Sequence, residues 1–408
     1  MTAPSRWRPG SGVLLTLLLG LSWALGPGLA SAQDRQVLTF QDLMKVRQIQ
    51  SPSISPDGSW VALAAVPDRG DGEVLVYSID GRSRFSIPRG TSPAISADGV
   101  WVGARVEPSF EARETAEGGD APRAGLAILN TRSGEVEAWE DVQRFAFSGD
   151  GGWMARLHFP PEDEGGEEDP GEGRPEEEEG GPRTREDPGT LLVLRNLTSG
   201  EEMEIPHVSI FAFHPETGCL AYVVATPAGE GDGVHVLELD SAGQATTLET
   251  GTFIQVAGLA WWEEGRRLAW VSAPEDEEGE PGPGTLRFWD GEKVFQVSMA
   301  GGLPDGWELP VRNRVRWSED GDRLFYGTRP GSQEEEPERE EESFDPYDME
   351  AILEAREVDV WHMDDPRINP NQKQVWSREQ SRTYLGVYLV SRGVATQLGD
   401  TLVQLQGV

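Results

Sequence analysis

The stretch SPSISPDGSWVALAA, from Ser51 to Ala65, places a tight turn between two apolar segments. Pro56 presets φ for a turn, Asp57 can bond its own backbone, and Gly58 tolerates a positive φ. The turn therefore has three interpretations: an isolated hairpin, an oxygen-rich calcium loop, or one copy of a repeated unit. Further copies along the chain decide among them.

The same pattern returns five more times. A near-identical copy, SPAISADGVWVGARV, begins at Ser92, and looser copies begin at Phe145, Phe211, Leu259 and Val315. The turn glycines, each expected at positive φ, are Gly58, Gly99, Gly151, Gly218, Gly265 and Gly321, at intervals of 41, 52, 67, 47 and 56 residues. The later turns contain Ala97, Gly149 and Thr217. The copies keep the hairpin but not the oxygen ligands, so the calcium loop is not favoured.

A second hairpin signal lies between successive copies, as in GEVLVYSIDGRSRFSI after the first copy. Each alternates apolar and polar residues around a glycine-containing turn, as half-buried strands do. Two hairpins per period give four strands, which is one blade of a β-propeller. The sequence predicts an all-β propeller over 51–408 with about six complete blades and a partial seventh. A β-sandwich or barrel is the alternative, but it would require the similarity among the six hairpin copies to be accidental. A WD-type propeller is disfavoured because its Gly-His and Trp-Asp pairs are missing.

The first 32 residues have the pattern of a secretory signal. Arg6 and Arg8 precede an apolar run from Val13 to Leu25, and a small-residue site ends at Ala32. Cleavage after Ala32 predicts a periplasmic or secreted protein without a membrane span, and a retained anchor is the alternative. No cysteine lies near the cleavage site, so a lipoprotein anchor is not expected.

Residues 33–50 predict a short amphipathic helix before blade one. Thr39 is the expected cap, with Asp42 three residues later. Leu43, Met44 and Val46 are expected to face the core.

The chain is strongly acidic, with 71 Asp and Glu against 35 Lys and Arg and a net charge of −36. This charge argues against nucleic acid and anionic membranes as partners. Much of it lies in three runs, 162–187, 274–283 and 331–345, of which the first holds 13 acidic residues against Arg174, Arg183 and Arg185. Such runs contain too little apolar surface to fold, so we predict disordered loops on one rim of the propeller. Calcium or a basic partner could also bind there. A short helix is predicted over 346–356.

Candidate site residues are few. No Gly-x-Ser-x-Gly pattern occurs, and the histidines lie in or beside different hairpins at His158, His207, His214, His235 and His362. Glu263 and Glu264 could receive a peptide amino terminus, although their place in a turn favours a solvated pair. Asn196 begins a glycosylation-type motif. Cys219 is the only cysteine, which excludes an internal disulfide and a thiolate metal site. The sequence predicts no catalytic, cofactor-binding or metal-binding residue and no cofactor.

Three features together resemble the amino-terminal propeller of exported serine peptidases of the prolyl oligopeptidase family. They are LTFQDLMKVRQIQSPSISPDGSWVAL from Leu38, the degenerate hairpin repeat, and EVDVWHMDDPRINPNQKQVWSREQSRTYLGVYLV from Glu357. The repeat alone is shared with TolB-like propellers. In the family, the propeller caps an α/β-hydrolase domain that holds a Ser, Asp and His triad, and it filters access so that peptides reach the nucleophile.

This sequence reaches Val408 inside what resembles a late blade. None of the family's catalytic residues matches a position here, so a truncated chain is expected. The resemblance implies a non-catalytic, substrate-gating propeller whose peptide substrates meet the hydrolase domain, and whether this chain is an enzyme is left open. The alternative is a TolB-like propeller that scaffolds envelope proteins.

Overall fold

The computed structural model describes residues 38–116, 122–161, 183–239, 243–299, 302–331 and 382–399. They form antiparallel strands and two short helices, α1 (Phe40–Met44) and α2 (Phe110–Thr115). In the described ranges, no helix is long and apolar enough to cross a membrane.

The first three blades follow one another in sequence. Blade one contains β1 (Arg47–Ile54), β2 (Trp60–Pro67), β3 (Glu73–Ser78) and β4 (Arg84–Pro88). Blade two contains β5 (Gly90–Ile95), β6 (Trp101–Val106), β7 (Gly125–Asn130) and β8 (Val136–Trp139). Blade three contains β9 (Val142–Phe147), β10 (Trp153–His158), β11 (Thr190–Asn196) and the first half of β12 (Glu202–Phe213).

The second half of β12 begins blade four, so blades three and four share one seven-stranded sheet. Blade four continues with β13 (Cys219–Val224), β14 (Glu230–Glu238) and β15 (Ala245–Thr252). Blade five contains β16 (Ile254–Trp261), β17 (Leu268–Pro274), β18 (Thr285–Trp289) and β19 (Val294–Gln296). Blade six contains β20 (Trp307–Glu308), β21 (Arg316–Trp317), β22 (Arg323–Pro330), β23 (Tyr384–Leu389) and β24 (Val394–Gln397). The predicted propeller fold of four-stranded blades is confirmed. The segment expected to open a late blade does not do so in its described part, because β23 pairs with β22 and β24 and thus completes blade six.

The first strand of each blade is its inner strand. In blade six, β20 and β21 both pair with β22 and together take the place of the first strand. First strands contact one another in the succession β1, β5, β9, β12, β16 and β21. Each also lies at the edge of its sheet or blade, with only one hydrogen-bonded neighbour inside the blade. The first strands of the blades therefore lie side by side. The strand edges that are not hydrogen-bonded within a blade face the centre around which the blades are arranged.

A serine and an aspartate organise the repeated hairpin. The Ser55 hydroxyl donates to Asp57 Oδ1 at 2.6 Å and accepts from the Trp60 N–H at 2.9 Å. The same two bonds recur at Ser96, Ser148 and Ser318. Positive φ is found at four of the predicted turn glycines but not at Gly218 or Gly265. In those two blades His214 and Trp262 replace the serine, so the turn closes differently and the prediction is wrong there.

The core lies between blades rather than within them. One position on each second strand faces the preceding blade and is 0% exposed at Val102, Met154, Leu220, Leu268 and Leu324. Met154, for example, packs against Leu126 and Ile128 of blade two. Val61 holds this position in blade one and is only half-buried, because no described residue forms a blade before it.

The helix predicted over 33–50 is shorter than expected. It spans Phe40–Met44, and Arg47 already begins β1. The predicted cap is confirmed: the Thr39 N–H donates to Asp42 Oδ2 at 2.9 Å, and the Asp42 N–H donates to Thr39 Oγ1 at 3.2 Å. The expected burial is wrong, since Leu43 is 53% exposed and Val46 is 54% exposed. No described residue packs over them.

Parts of two predicted disordered insertions are ordered. Residues 183–187 lie against blades four and five, because Arg185 pairs with Asp232 at 2.9 Å and with Glu275 at 3.0 Å. The Arg183 guanidinium stacks over the Phe253 ring at 4.0 Å. Residues 274–283 form a turn closed by a bridge between Glu275 and Pro281. Both segments are ordered for the same reason: charged residues at the ends of the two runs form ion pairs with each other or with a neighbouring blade. Residues 162–182 and 332–381, including the predicted helix 346–356, lie outside the described residues.

Candidate functional site on the inner strands

The inner strands carry few acidic residues, although the chain as a whole is strongly acidic. The inner strands of blades one to five contain no Asp or Glu, and their charged residues are Arg47 and Arg144. The inner strand of blade four is residues 208–213, the second half of β12. The first half of β12, which contains acidic residues, belongs to blade three. In blade six, the inner segment 307–317 holds Glu308, which pairs with Arg329 at 2.7 Å. The same segment also carries Arg312, Arg314 and Arg316. The inner strands therefore carry more positive than negative side chains.

An open depression lies between blades two and three. Its volume is about 240 Å³. Ser92 and Ala94 of β5, Arg105 of β6, and Gln143, Arg144 and Phe145 of β9 line it. The polar groups are mostly hydrogen-bond donors over an apolar floor.

The two arginines of the depression differ in their partners. Arg105 Nε donates to Glu107 Oε1 at 2.9 Å, and its NH1 donates to the Gln143 carbonyl at 3.2 Å. Arg144 stacks over the Phe211 ring at 5.0 Å and has no carboxylate partner among the described residues. Ser92 has a φ of 47° in a break of the β5–β6 register, which turns it out of the ladder. Among the described residues, no carboxylate therefore neutralises the Arg144 guanidinium at the depression.

The described histidines lie on separate elements and have structural surroundings. His214 Nδ1 accepts from the Glu216 N–H at 3.1 Å, and its Nε2 lies 3.2 Å from the Trp262 carbonyl in blade five. His235 stacks on Tyr222, and burial lowers the pKa of His235. His214 thus replaces the turn serine and ties two blades together.

The remaining histidines also lie in the framework. His158 ends β10, where burial, followed by the charge of Arg156, lowers the pKa of His158. His207 has a φ of 57° at the middle of β12, where the chain passes from blade three to blade four. His362 lies outside the described residues.

The other residues singled out from the sequence have simple surroundings. Glu263 and Glu264 are exposed in the turn of blade five. Asn196 Oδ1 accepts the N–H groups of Thr198 and Ser199, both at 2.9 Å. Asn130 makes the same kind of hydrogen bond in the equivalent turn of blade two, where no glycosylation motif is present. The turn alone therefore explains why an asparagine stands at position 196.

Cys219 is a free thiol that is buried in blade four. Burial raises the pKa of Cys219 to about 11. Within the described ranges, no group of three or more His, Cys, Asp or Glu is placed to hold a metal ion.

Sequence reasoning missed Arg105 and Arg144. The available signal was the missing carboxylates on inner strands, for example in VQRFAF from Val142 to Phe147. This signal becomes visible only when each strand is assigned its place in the blade.

No protein-family model matches the chain, and no curated protein matches it. Solved structures do match. The β-propeller domain of the Trilobed protease from Pyrococcus furiosus is 11% identical over 70% of this chain and 80% of its own, with a TM-score of 0.38. Acylaminoacyl peptidase from Pyrococcus horikoshii is 13% identical over 70% of this chain, which spans only 43% of that protein, with a TM-score of 0.38. TolB from Acinetobacter baumannii is 12% identical over 60% of this chain and 52% of its own, with a TM-score of 0.30. These three matches are a protease propeller domain, a peptidase and TolB. Likenesses this distant support no conclusion about activity.

Proposed function

We propose that this chain is the non-catalytic, substrate-gating propeller of a secreted or periplasmic serine peptidase of the prolyl oligopeptidase family. The observation that carries the proposal is the convergence of six inner strands whose free edges line the inside of the array. Unpaired strand edges can bind extended peptides through main-chain hydrogen bonds, whereas a folded protein presents few free extended segments. The sequence resemblance assigns the chemistry to an associated hydrolase domain.

The reading frame after the codon for Val408 tests this proposal. We expect further blade repeats and then an α/β-hydrolase domain with a Gly-x-Ser-x-Gly motif. A stop codon directly after Val408 in the source genome, or an unrelated domain, would contradict the proposal.

The proposed location follows from residues 1–32. The signal is expected to be cleaved after Ala32, which would release the protein into the periplasm or medium. Amino-terminal sequencing of the protein from the periplasmic fraction should begin at Gln33. A protein that keeps Met1 and remains in the cytoplasm would contradict this location.

A TolB-like scaffold for envelope proteins is the second candidate. It is favoured by the uncovered face of blade one, where Ile54 is 65% exposed and Ile79 is 63% exposed. A photo-crosslinking amino acid at position 79 separates the two functions in cells. A crosslink to a different envelope protein supports the scaffold, and a crosslink within the same polypeptide supports the peptidase propeller.

A further inference from the structure

The depression between blades two and three has the chemistry of a carboxylate site. Arg105 and Arg144 approach it from two blades, and Ser92 and Gln143 add polar side chains. A guanidinium presents its N–H donors in a fork that matches a carboxylate. The apolar floor of Ala94 and Phe145 suits the short aliphatic part that carries such a group.

The described residues at the depression include one guanidinium more than they include carboxylates. Glu107 neutralises Arg105, and Glu107 Oε1 also accepts from Thr91 Oγ1 at 3.1 Å, so this carboxylate is held in place. Arg144 stacks over the Phe211 ring and forms no ion pair with a described residue. A ligand carboxylate would supply the missing charge without displacing an existing ion pair.

The surroundings favour the same ligand. The flanking inner strands, β1, β5 and β9, carry no acidic residue that could repel an anion. Acidic residues outnumber basic ones 71 to 35 in the whole chain, so the absence of Asp and Glu from these three strands stands out against the composition. The carboxylate of Glu107 is already paired with Arg105. The size of the depression, about 240 Å³, suits one side chain or chain end rather than a folded surface.

We propose that this depression binds the carboxylate of a peptide, with Arg144 as the principal cation and Arg105, Ser92 and Gln143 as further ligands. The carboxylate comes from an Asp or Glu side chain or from a peptide carboxyl terminus. The site goes beyond the proposed gating function, since it requires no hydrolase domain.

Fluorescence anisotropy of the purified chain with short labelled peptides tests the site. The probes are a tripeptide amide ending in glutamate, its glutamine counterpart, and trialanine with a free or an amidated carboxyl terminus. We expect at least one carboxylate peptide to bind about tenfold more tightly than its neutral counterpart, because charge-assisted hydrogen bonds are the stronger ones. Preference for glutamate identifies a side-chain carboxylate, and preference for free trialanine identifies a chain end. Equal binding, or no binding, within both pairs would overturn the proposal.

Variants of the chain test the residues. Arg144→Gln should weaken binding of the preferred peptide about tenfold while leaving the thermal unfolding midpoint unchanged, and Arg144→Lys should lie between the two because it keeps charge but loses the fork. Arg132→Gln is the matched control, since Arg132 is exposed on an outer turn of blade two. The proposal is wrong if folded Arg144→Gln protein binds the peptide as tightly as the parent does.

Discussion

The turn serine is the residue on which the repeated hairpin depends. Ser96 is 0% exposed, and its hydroxyl satisfies both Asp98 and the N–H of Trp101. Removing a buried hydrogen-bonding partner costs about 1–3 kcal/mol, because the remaining group loses its bond without regaining water. Ser96→Ala should therefore lower the free energy of unfolding by that amount in urea titrations.

Thr198→Ala is the control for Ser96→Ala. Thr198 is exposed, and only its backbone N–H takes part in the turn. Its substitution should change the free energy of unfolding by less than about 0.5 kcal/mol. Equal effects of the two substitutions would show that the serine does not hold the hairpin.

Asp57 makes the first hairpin sensitive to acid. The hydroxyl of Ser55, with the N–H and hydroxyl of Ser59, lowers the pKa of Asp57 from 3.8 to about 2. Because the folded pKa lies below the unfolded value, this stabilisation is complete above about pH 4 and is lost as the pH falls towards 2. The urea midpoint of the parent chain should therefore fall more between pH 4 and pH 2 than that of Asp57→Asn, whose amide still accepts but does not titrate. Parallel curves for the two proteins would contradict this explanation.

At the scale of elements, one buried ion-pair group fastens three blades together. The side chain of Arg185, near the end of the acidic run 162–187, is 7% exposed, and those of its partners Asp232 and Glu275 are 0% and 5% exposed. Arg185→Met would leave the buried Asp232 carboxylate without its cation and would leave Glu275 with only Arg183, at 3.5 Å. Breaking a buried pair in this way costs about 3–5 kcal/mol. We expect a loss of that size in the free energy of unfolding.

An exposed ion pair provides the comparison. Arg82 and Asp80 lie 3.4 Å apart on the turn of blade one, with side chains 85% and 54% exposed. Arg82→Met should change the free energy of unfolding by less than about 1 kcal/mol. If Arg185→Met were no more destabilising than Arg82→Met, the fastening role of Arg185 would be excluded.

At the scale of the whole molecule, one face of blade one is more exposed than the equivalent face of blade four. Packing between neighbouring blades runs from blade one to blade six, and no comparable packing joins blade six to blade one among the described strands. Ile79 and Leu239 hold equivalent positions in blades one and four. The N–H of each donates to the carbonyl of the residue just before the second strand of its blade, which is Ser59 for Ile79 and Gly218 for Leu239. Ile79 is 63% exposed, whereas Leu239 is 8% exposed.

This difference predicts opposite outcomes for one substitution at two equivalent positions. Leu239→Lys should lower the free energy of unfolding by about 3 kcal/mol or more, because it buries a charge between blades. Ile79→Lys should change it by less than about 0.5 kcal/mol and should reduce self-association in sedimentation experiments, since it breaks an exposed apolar patch. A large destabilisation by Ile79→Lys would show that the face of blade one is covered in the chain.

The sequence predicts the blades because each hairpin is a local object whose signals lie within about 15 residues. The Thr39 cap was predictable for the same reason. The order of residues 183–187 was not, because the partners of Arg185 lie 47 and 90 residues away in sequence. The depression is of this second kind: Arg105 and Arg144 meet only after two blades pack side by side. The exposure of Leu43 and Val46 also depends on what lies opposite them, which periodicity does not encode.

Fluorophosphonate labelling of the native protein tests the central functional claim most directly. The protein carrying this sequence is isolated from its source cells with an antibody against the propeller, labelled, and its modified serine is located by peptide mass spectrometry. The account predicts a labelled serine outside residues 33–408. A labelled serine within 33–408, or a native protein that ends at Val408 and carries no label, would contradict it.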